Sequence, residues 1–411
     1  MDLSDSGNPI SDRNYRWYLV GNFASTIGIW TQRTAILWLT WELTRSATWL
    51  GIIALAETGP TIALGLYAGA VLDRLNHLNV LRFTQFLTLL YSIALFLVMA
   101  SNLMNIWILT GLVLFRGATF AFNRPARQTV VYGLVGREKL LQALSQNAMV
   151  FQTSKFIGPA IAGATLVAFG ISATFAISIL MIVMFTVALR LLDVPAPARR
   201  EREPRPIAFE VADGLRYILS QPAVRNQFML LGVVALCAKP VTELMPGFAA
   251  GEFGQGASAL AWLLGCHGAG ASLAGIWMSL RFGVQSLLTI ACIAIISMSI
   301  ALILFVGINS FVIGCLLMVF FGFATVVMDV SNQTIIQSTI RSRFRGRTMS
   351  IYGMIAQGAP AVGALAMGYV AEMAGLRWPV FAGACVAFVA GALALLFREK
   401  ISGPQPPPQT E

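Results

Sequence analysis

Apolar residues come in long runs along the chain, separated by short polar stretches. The runs predict helices over residues 17–41, 48–72, 80–101, 105–123, 144–168, 172–192, 226–248, 257–280, 286–306, 309–331, 349–373 and 378–397. Each is near the ~20 residues that a helix needs to cross ~30 Å of hydrocarbon. The longest polar stretch, about 193–225, follows the sixth run. It opens as a proline- and charge-rich linker, Val194-Pro-Ala-Pro-Ala-Arg-Arg-Glu-Arg-Glu-Pro-Arg-Pro206, a composition that breaks regular structure. Beyond it, Ala208, Val211, Ala212, Leu215, Ile218 and Leu219 share one helical face, with Glu210, Asp213 and Arg216 elsewhere. That spacing predicts an amphipathic helix lying in the membrane interface. The expected architecture is an all-α polytopic membrane protein of twelve transmembrane helices. An N-terminal six-helix bundle (1–192) and a C-terminal six-helix bundle with its tail (226–411) flank a cytoplasmic linker (193–225).

Composition excludes a soluble fold. The 411 residues are 57% hydrophobic and 11% charged, with a mean hydropathy of +0.74, whereas soluble domains carry about 25% charged residues. The net charge of +10 would suggest nucleic acid in a soluble chain, but its placement explains it here. With the N-terminus inside, 22 of the 28 Lys and Arg fall in cytoplasmic segments, and only Arg45 and Arg377 fall on the opposite side. This asymmetry orients a membrane protein and puts both termini in the cytoplasm. Residues 1–16 lack the basic start, short apolar core and cleavage site of a signal peptide, so the first span is expected to stay and to direct its own insertion. The five cysteines lie inside apolar runs without CxxC spacing and read as small buried apolar residues, not as disulfides or a metal site. No phosphate-cradling glycine loop, HExxH or soluble ATP-binding domain is expected. An enzyme, a cofactor and a metal are therefore excluded, and the energy source would be a gradient.

Ionisable groups inside a span cost at least ~2.5–3.5 kcal/mol each, so they are expected to be paired or to line a wet cavity. Seven stand out: Arg33, Glu57, Arg116, Lys155, Lys239, Glu243 and Asp329. Arg33 and Glu57 lie at similar depth on antiparallel neighbours and are expected to pair, either as a static bridge or with Glu57 as a protonatable group that changes partner. Lys239 and Glu243, four residues apart, would share a helix face and pair with each other. Arg116 lies in the inner half of its span. Lys155 would satisfy the carbonyl freed by Pro159, and Asp329 would cap against Arg341 or Arg343. His267 reads as structural or as a proton carrier. Four positive against three negative charges lean the interior toward an anionic or zwitterionic ligand. Gly158, Gly163, Gly363 and Gly368 would permit close helix approach. The halves echo each other in Gly158-Pro159-Ala-Ile-Ala-Gly163 and Ala359-Pro360-Ala-Val-Gly363.

Between the second and third spans stands Gly69-Ala-Val-Leu-Asp73-Arg74-Leu-Asn-His77, a carboxylate and a guanidinium beside a helix end. Gly69-x-x-x-Asp73-Arg74 resembles the signature of the major facilitator superfamily. Leu112-x-x-x-Arg116 resembles its span 4 motif, and Gly158-Pro159 with Gly163 its span 5 motif. Pro125-Ala-Arg127-Gln128, Gly136-Arg137-Glu138 and Phe344-Arg345-Gly346-Arg347-x-Met349-Ser350-x-Tyr352-Gly353 resemble the branch that holds the enterobactin exporter and macrolide-efflux-like proteins. Where the superfamily has two basic residues this chain has His77 and Leu78, with Arg82 a turn further on as a substitute, and Phe120 replaces a glycine in span 4. The resemblance implies that Gly69, Asp73 and Arg74 form a conformational hinge. It implies that Gly158, Pro159 and Gly163 pack helices, and that spans 1, 4, 7 and 10 line a central cavity. The proton and substrate pathway would then run past Arg33, Glu57, Arg116, Lys239, Glu243 and Asp329. The implied function is a monomeric, multi-pass, proton-coupled antiporter of a bacterial inner membrane. It would export a drug or siderophore-like small molecule. Transport of iron or an iron chelate, and a non-transporting membrane scaffold or sensor, are the alternatives.

Overall fold

The computed structural model describes residues 9–72, 75–136, 139–192, 207–280, 287–341 and 344–397. The first half comprises α1 (Arg13–Thr44), α2 (Ala47–Leu72), α3 (His77–Ala100), α4 (Ile106–Val135) and α5 (Leu140–Leu191). After α6 (Ile207–Ser220), the second half comprises α7 (Pro222–Cys237), α8 (Val241–Gly247), α9 (Ala257–Leu280), α10 (Leu287–Gly307), α11 (Phe311–Thr339), α12 (Arg345–Ala374) and α13 (Arg377–Leu396). Ten segments among the described residues are long and apolar enough to cross a membrane, with α5 counted once. Gly170, at φ 80° and ψ −179°, kinks α5 into two passes. The 32-residue α1 is the remaining pass. It is more polar because protein surrounds it: Asn22, Ser25, Thr26, Thr31, Gln32 and Thr34 are all buried. The result is twelve spans in two pseudo-symmetric six-helix bundles.

Local chemistry sets the helix ends. The Asp12 carboxylate accepts the backbone N–H groups of Asn14 and Tyr15, and Asn76 and Asn105 do the same for α3 and α4. These side chains satisfy N–H groups that have no partner within the helix. The seventh span, expected as one helix, is three pieces: α7, α8 and a π-turn over Phe248–Glu252. Pro240 is the physical cause, since it has no N–H and its ring clashes with the preceding turn. The Lys239 N–H reaches back to the Val234 carbonyl at 3.2 Å, and the Thr242 N–H donates to the Lys239 carbonyl at 3.2 Å.

The halves meet mainly through two helix pairs, α2 with α12 and the first pass of α5 with α9, with smaller contacts of α8 on α1 and α2. A methyl on Gly51 would come within 2.3 Å of the Leu365 Cα, and one on Gly163 within 2.2 Å of the Ala261 Cβ, so only glycine permits these approaches. Both contacts lie toward the side opposite the termini. Toward the terminus side, Gly59 and Gly65 of α2 and Gly353 of α12 face open space, and Tyr67 is exposed. The contact of α2 with α12 continues at mid-span, where a methyl on Gly358 would come within 2.4 Å of Ile62.

The amphipathic helix α6 docks on the second half at the terminus side. Gly214 seats against Ile351 and Arg347, Asp213 pairs with Arg347 at 3.1 Å, and Tyr217 stacks on Phe344 at 4.4 Å. Ile218 is buried while Leu215 and Leu219 are exposed. Part of the expected interfacial face therefore packs on protein, because Gly214 and Tyr217 widen the buried stripe.

Candidate functional site: a charge relay between the halves

Five helices and the break before α8 bring six of the seven intramembrane charges into two groups. On α1, Arg33 points at the second half. Its Nη2 donates to Glu243 Oε1 on α8 at 2.5 Å, and its Nε lies 3.7 Å from Glu57 Oε2 on α2. The other Glu57 oxygen accepts from Arg116 Nη1 on α4 at 2.7 Å. The order Arg116–Glu57–Arg33–Glu243 is a continuous chain of alternating charge that passes from one half into the other. Among the described residues, Arg33–Glu243 is the ion pair that joins the halves. Glu243 Oε2 is buried without a hydrogen-bond partner, and the Arg33 guanidinium lies 5.3 Å from the Trp30 ring. Tyr91 is buried beside Arg116 and Glu57, its hydroxyl likewise without a partner.

The second group corrects two expectations. Lys239 does not pair with Glu243. Its Nζ donates to Asp329 Oδ1 on α11 at 2.5 Å. The helical spacing of four residues means nothing across the break at Pro240, which turns Lys239 toward α11 and leaves Glu243 facing α1. Asp329 correspondingly does not cap Arg341. Arg343 lies outside the described residues.

Lys155 also departs from expectation. Its ammonium lies 5.5 Å from the Trp30 ring and 4.9 Å from the Phe151 ring. The carbonyl that Pro159 frees, that of Lys155 itself, faces Gly268 of α9. Gly158 admits Trp30, since a methyl there would sit 2.4 Å from the Trp30 Cβ, and its carbonyl accepts from Thr31 Oγ1 at 3.1 Å. Gly363 and Gly368 lie against the carbonyls of Leu236 and Ala47.

Gly69 falls within α2, while Asp73 and Arg74 lie outside the described residues. Arg82, expected to substitute at the hinge, donates to the carbonyls of Leu189 at 2.9 Å and Leu192 at 2.8 Å. It caps the last turn of α5, where free carbonyls favour a cation.

One cluster escaped the sequence reading. Arg127 donates to Asn22 Oδ1 at 2.6 Å and Gln85 Oε1 at 3.2 Å, and its guanidinium lies 4.7 Å from the Phe185 ring. Asn22 in turn donates to Asn147 at 3.0 Å, tying α1, α3, α4 and α5 together near the terminus side. The signal was present in the amides of Asn22 and Gln85 inside apolar runs. Arg127 lies beyond the apolar run that ends at 123, whereas α4 continues to Val135.

Twelve spans in two bundles, with paired charges where they meet, define the major facilitator fold. Solved structures agree: a POT family transporter in complex with 5-aminolevulinic acid superposes with a TM-score of 0.76 at 12% identity over 95% of this chain and 97% of that one. The nucleoside transporter NupG gives 0.71 at 12% identity over 94% and 99%. The chain belongs to the transmembrane secretion effector family of that superfamily, which it matches over residues 5–403. Among its relatives, the multidrug efflux pump Tap of Mycolicibacterium fortuitum is 26% identical over 84% of this chain and 85% of Tap. The enterobactin exporter EntS of Shigella boydii is 25% identical over 81% and 79%. The staphyloferrin A transporter of Staphylococcus aureus is 26% identical, but the match spans only 39% of this chain and 41% of that protein.

Proposed function

We propose that this protein is a proton-coupled exporter of a small organic molecule, drug or siderophore-like, in a bacterial inner membrane. It works as a monomer with both termini in the cytoplasm. Two units, residues 1–192 and 226–411, rock about a midplane site, joined by the linker 193–225. The placement of Lys and Arg supports this orientation. Similarity to Tap and EntS supports export of drugs or siderophores.

The observation that carries the reading is Arg33 shared between Glu57 of its own half and Glu243 of the other. Opening the outer side must separate Arg33 from Glu243. A carboxylate left unpaired in a buried place costs several kcal/mol, so separation favours protonation of Glu243 from outside. Arg33 falls back on Glu57, which Arg116 already holds. When the outer side closes, Arg33 re-forms its pair with Glu243 and displaces the proton toward the cytoplasmic cavity. Protons thus run inward while substrate runs outward, as an antiporter requires. Asp329 with Lys239, and the hinge of Gly69, Asp73 and Arg74, belong to the same moving pathway. The packing surfaces at Gly158, Pro159 and Gly163 let the halves rock.

The test is transport in proteoliposomes. Glu57→Gln and Glu243→Gln are each expected to abolish pH-driven substrate efflux while the purified variants remain folded. Efflux at the wild-type rate in both would remove these carboxylates from the coupling.

A further inference from the structure

Lys155 sits in the membrane-spanning part of α5 without a carboxylate. No ion pair or hydrogen bond reaches its ammonium among the described residues. Its contacts are the faces of Trp30 and Phe151, whose rings meet edge to face at 5.9 Å. The charged groups within electrostatic range are Lys239, Arg33 and Arg124, all positive, and Asp329. Asp329 is already bound to Lys239 at 2.5 Å. Nearby on α9, His267 packs on Phe321 and leaves Nε2 buried with no partner. A lone ammonium in this setting is unfavourable unless something compensates it. Two aromatic faces offset a part of the cost, and an anion would offset more. An aromatic carboxylate fits both features, its charge on Lys155 and its ring against Trp30 and Phe151.

We propose that Lys155, Trp30, Phe151 and His267 form the substrate subsite, and that it takes an organic anion with an aromatic body. Lys155 Nζ donates to the anionic oxygen, and His267, within electrostatic range of Lys155, supplies a further polar contact. This proposal rests on the transporter reading but is tested by binding alone, so loss of coupling in the Glu57→Gln assay leaves it standing.

The full chain in detergent is titrated by tryptophan fluorescence with three probes of one shape: 2-naphthoate, the neutral 2-naphthamide and the cationic 2-naphthylmethylammonium. Naphthoate is expected to bind at least about tenfold tighter than the other two. Lys155→Gln should remove that preference, and Lys155→Arg should restore most of it. Naphthoate bound no better than the cation, no saturable binding at millimolar probe, or an undiminished preference in Lys155→Gln each overturn the proposal. If Lys155→Gln does not fold, the wild-type ranking and Lys155→Arg decide: a flat or reversed ranking overturns it.

Discussion

Arg33 holds two carboxylates that differ in what else they have. Removing its charge leaves Glu57 on Arg116 but strips Glu243, whose second oxygen already lacks a partner. Breaking a buried pair from one side costs about 3–5 kcal/mol, more than the intact pair contributes. Arg33→Met is therefore expected to lower the melting temperature of the detergent-solubilised protein, and Arg33→Met with Glu243→Gln to regain most of the loss. Losses that simply add would contradict the pairing. Lys239→Met should cost less, because the Asp329 side chain is 34% exposed and water screens it. The residue scale is also where the sequence was most and least legible. Matching Arg33 and Glu57 by depth needed only span boundaries, and they do meet. Pairing Lys239 with Glu243 assumed an unbroken helix. Its true partner, Asp329, lies on α11, and no local spacing reaches it. Glu243 was visible as costly, but its role as the link between halves depends on how α8 meets α1.

The seventh span acts as an element because it is broken. Pro240 ends α7, sends Lys239 to α11 and lets α8 present Glu243 to α1. Proline lacks the N–H that would carry a helix through this turn, so Pro240→Ala is expected to let the span run on as one helix and to lose efflux while the protein stays folded. Full efflux in that variant would mean that the break has no part in transport. The α2–α12 pair works through close approach. Gly51→Val places a branched side chain against the Leu365 backbone, where a methyl already fits at no normal distance. It should bias the protein toward the state open on the outer side, read as faster labelling of a cysteine introduced at Thr48. Unchanged labelling would show that the contact does not set the equilibrium. Span positions were legible because the hydrocarbon thickness imposes a length on every crossing. The docking of α6 was half legible. Its apolar stripe showed in the spacing, while the seat of Gly214 on Ile351 and the Asp213–Arg347 pair depend on α12.

For the whole molecule, the account turns on one link between the two bundles. The halves pack where Gly51 meets Leu365, Ile62 meets Gly358 and Gly163 meets Ala261. The pair of Arg33 and Glu243 bridges the halves. The coupling proposed above has the ionised Glu243 hold the outer side shut and the protonated Glu243 release it. The most direct measurement uses pulsed spin-label distances on a background without the five native cysteines. One pair of labels at Leu103 and Gln255 spans the outer side, and another at Leu75 and Thr339 spans the terminus side. Lowering the pH is expected to lengthen the outer distance and shorten the inner one, and Glu243→Gln to show the long outer distance at every pH. A wild-type outer distance that ignores pH, or a Glu243→Gln protein that stays closed outside, would contradict the account.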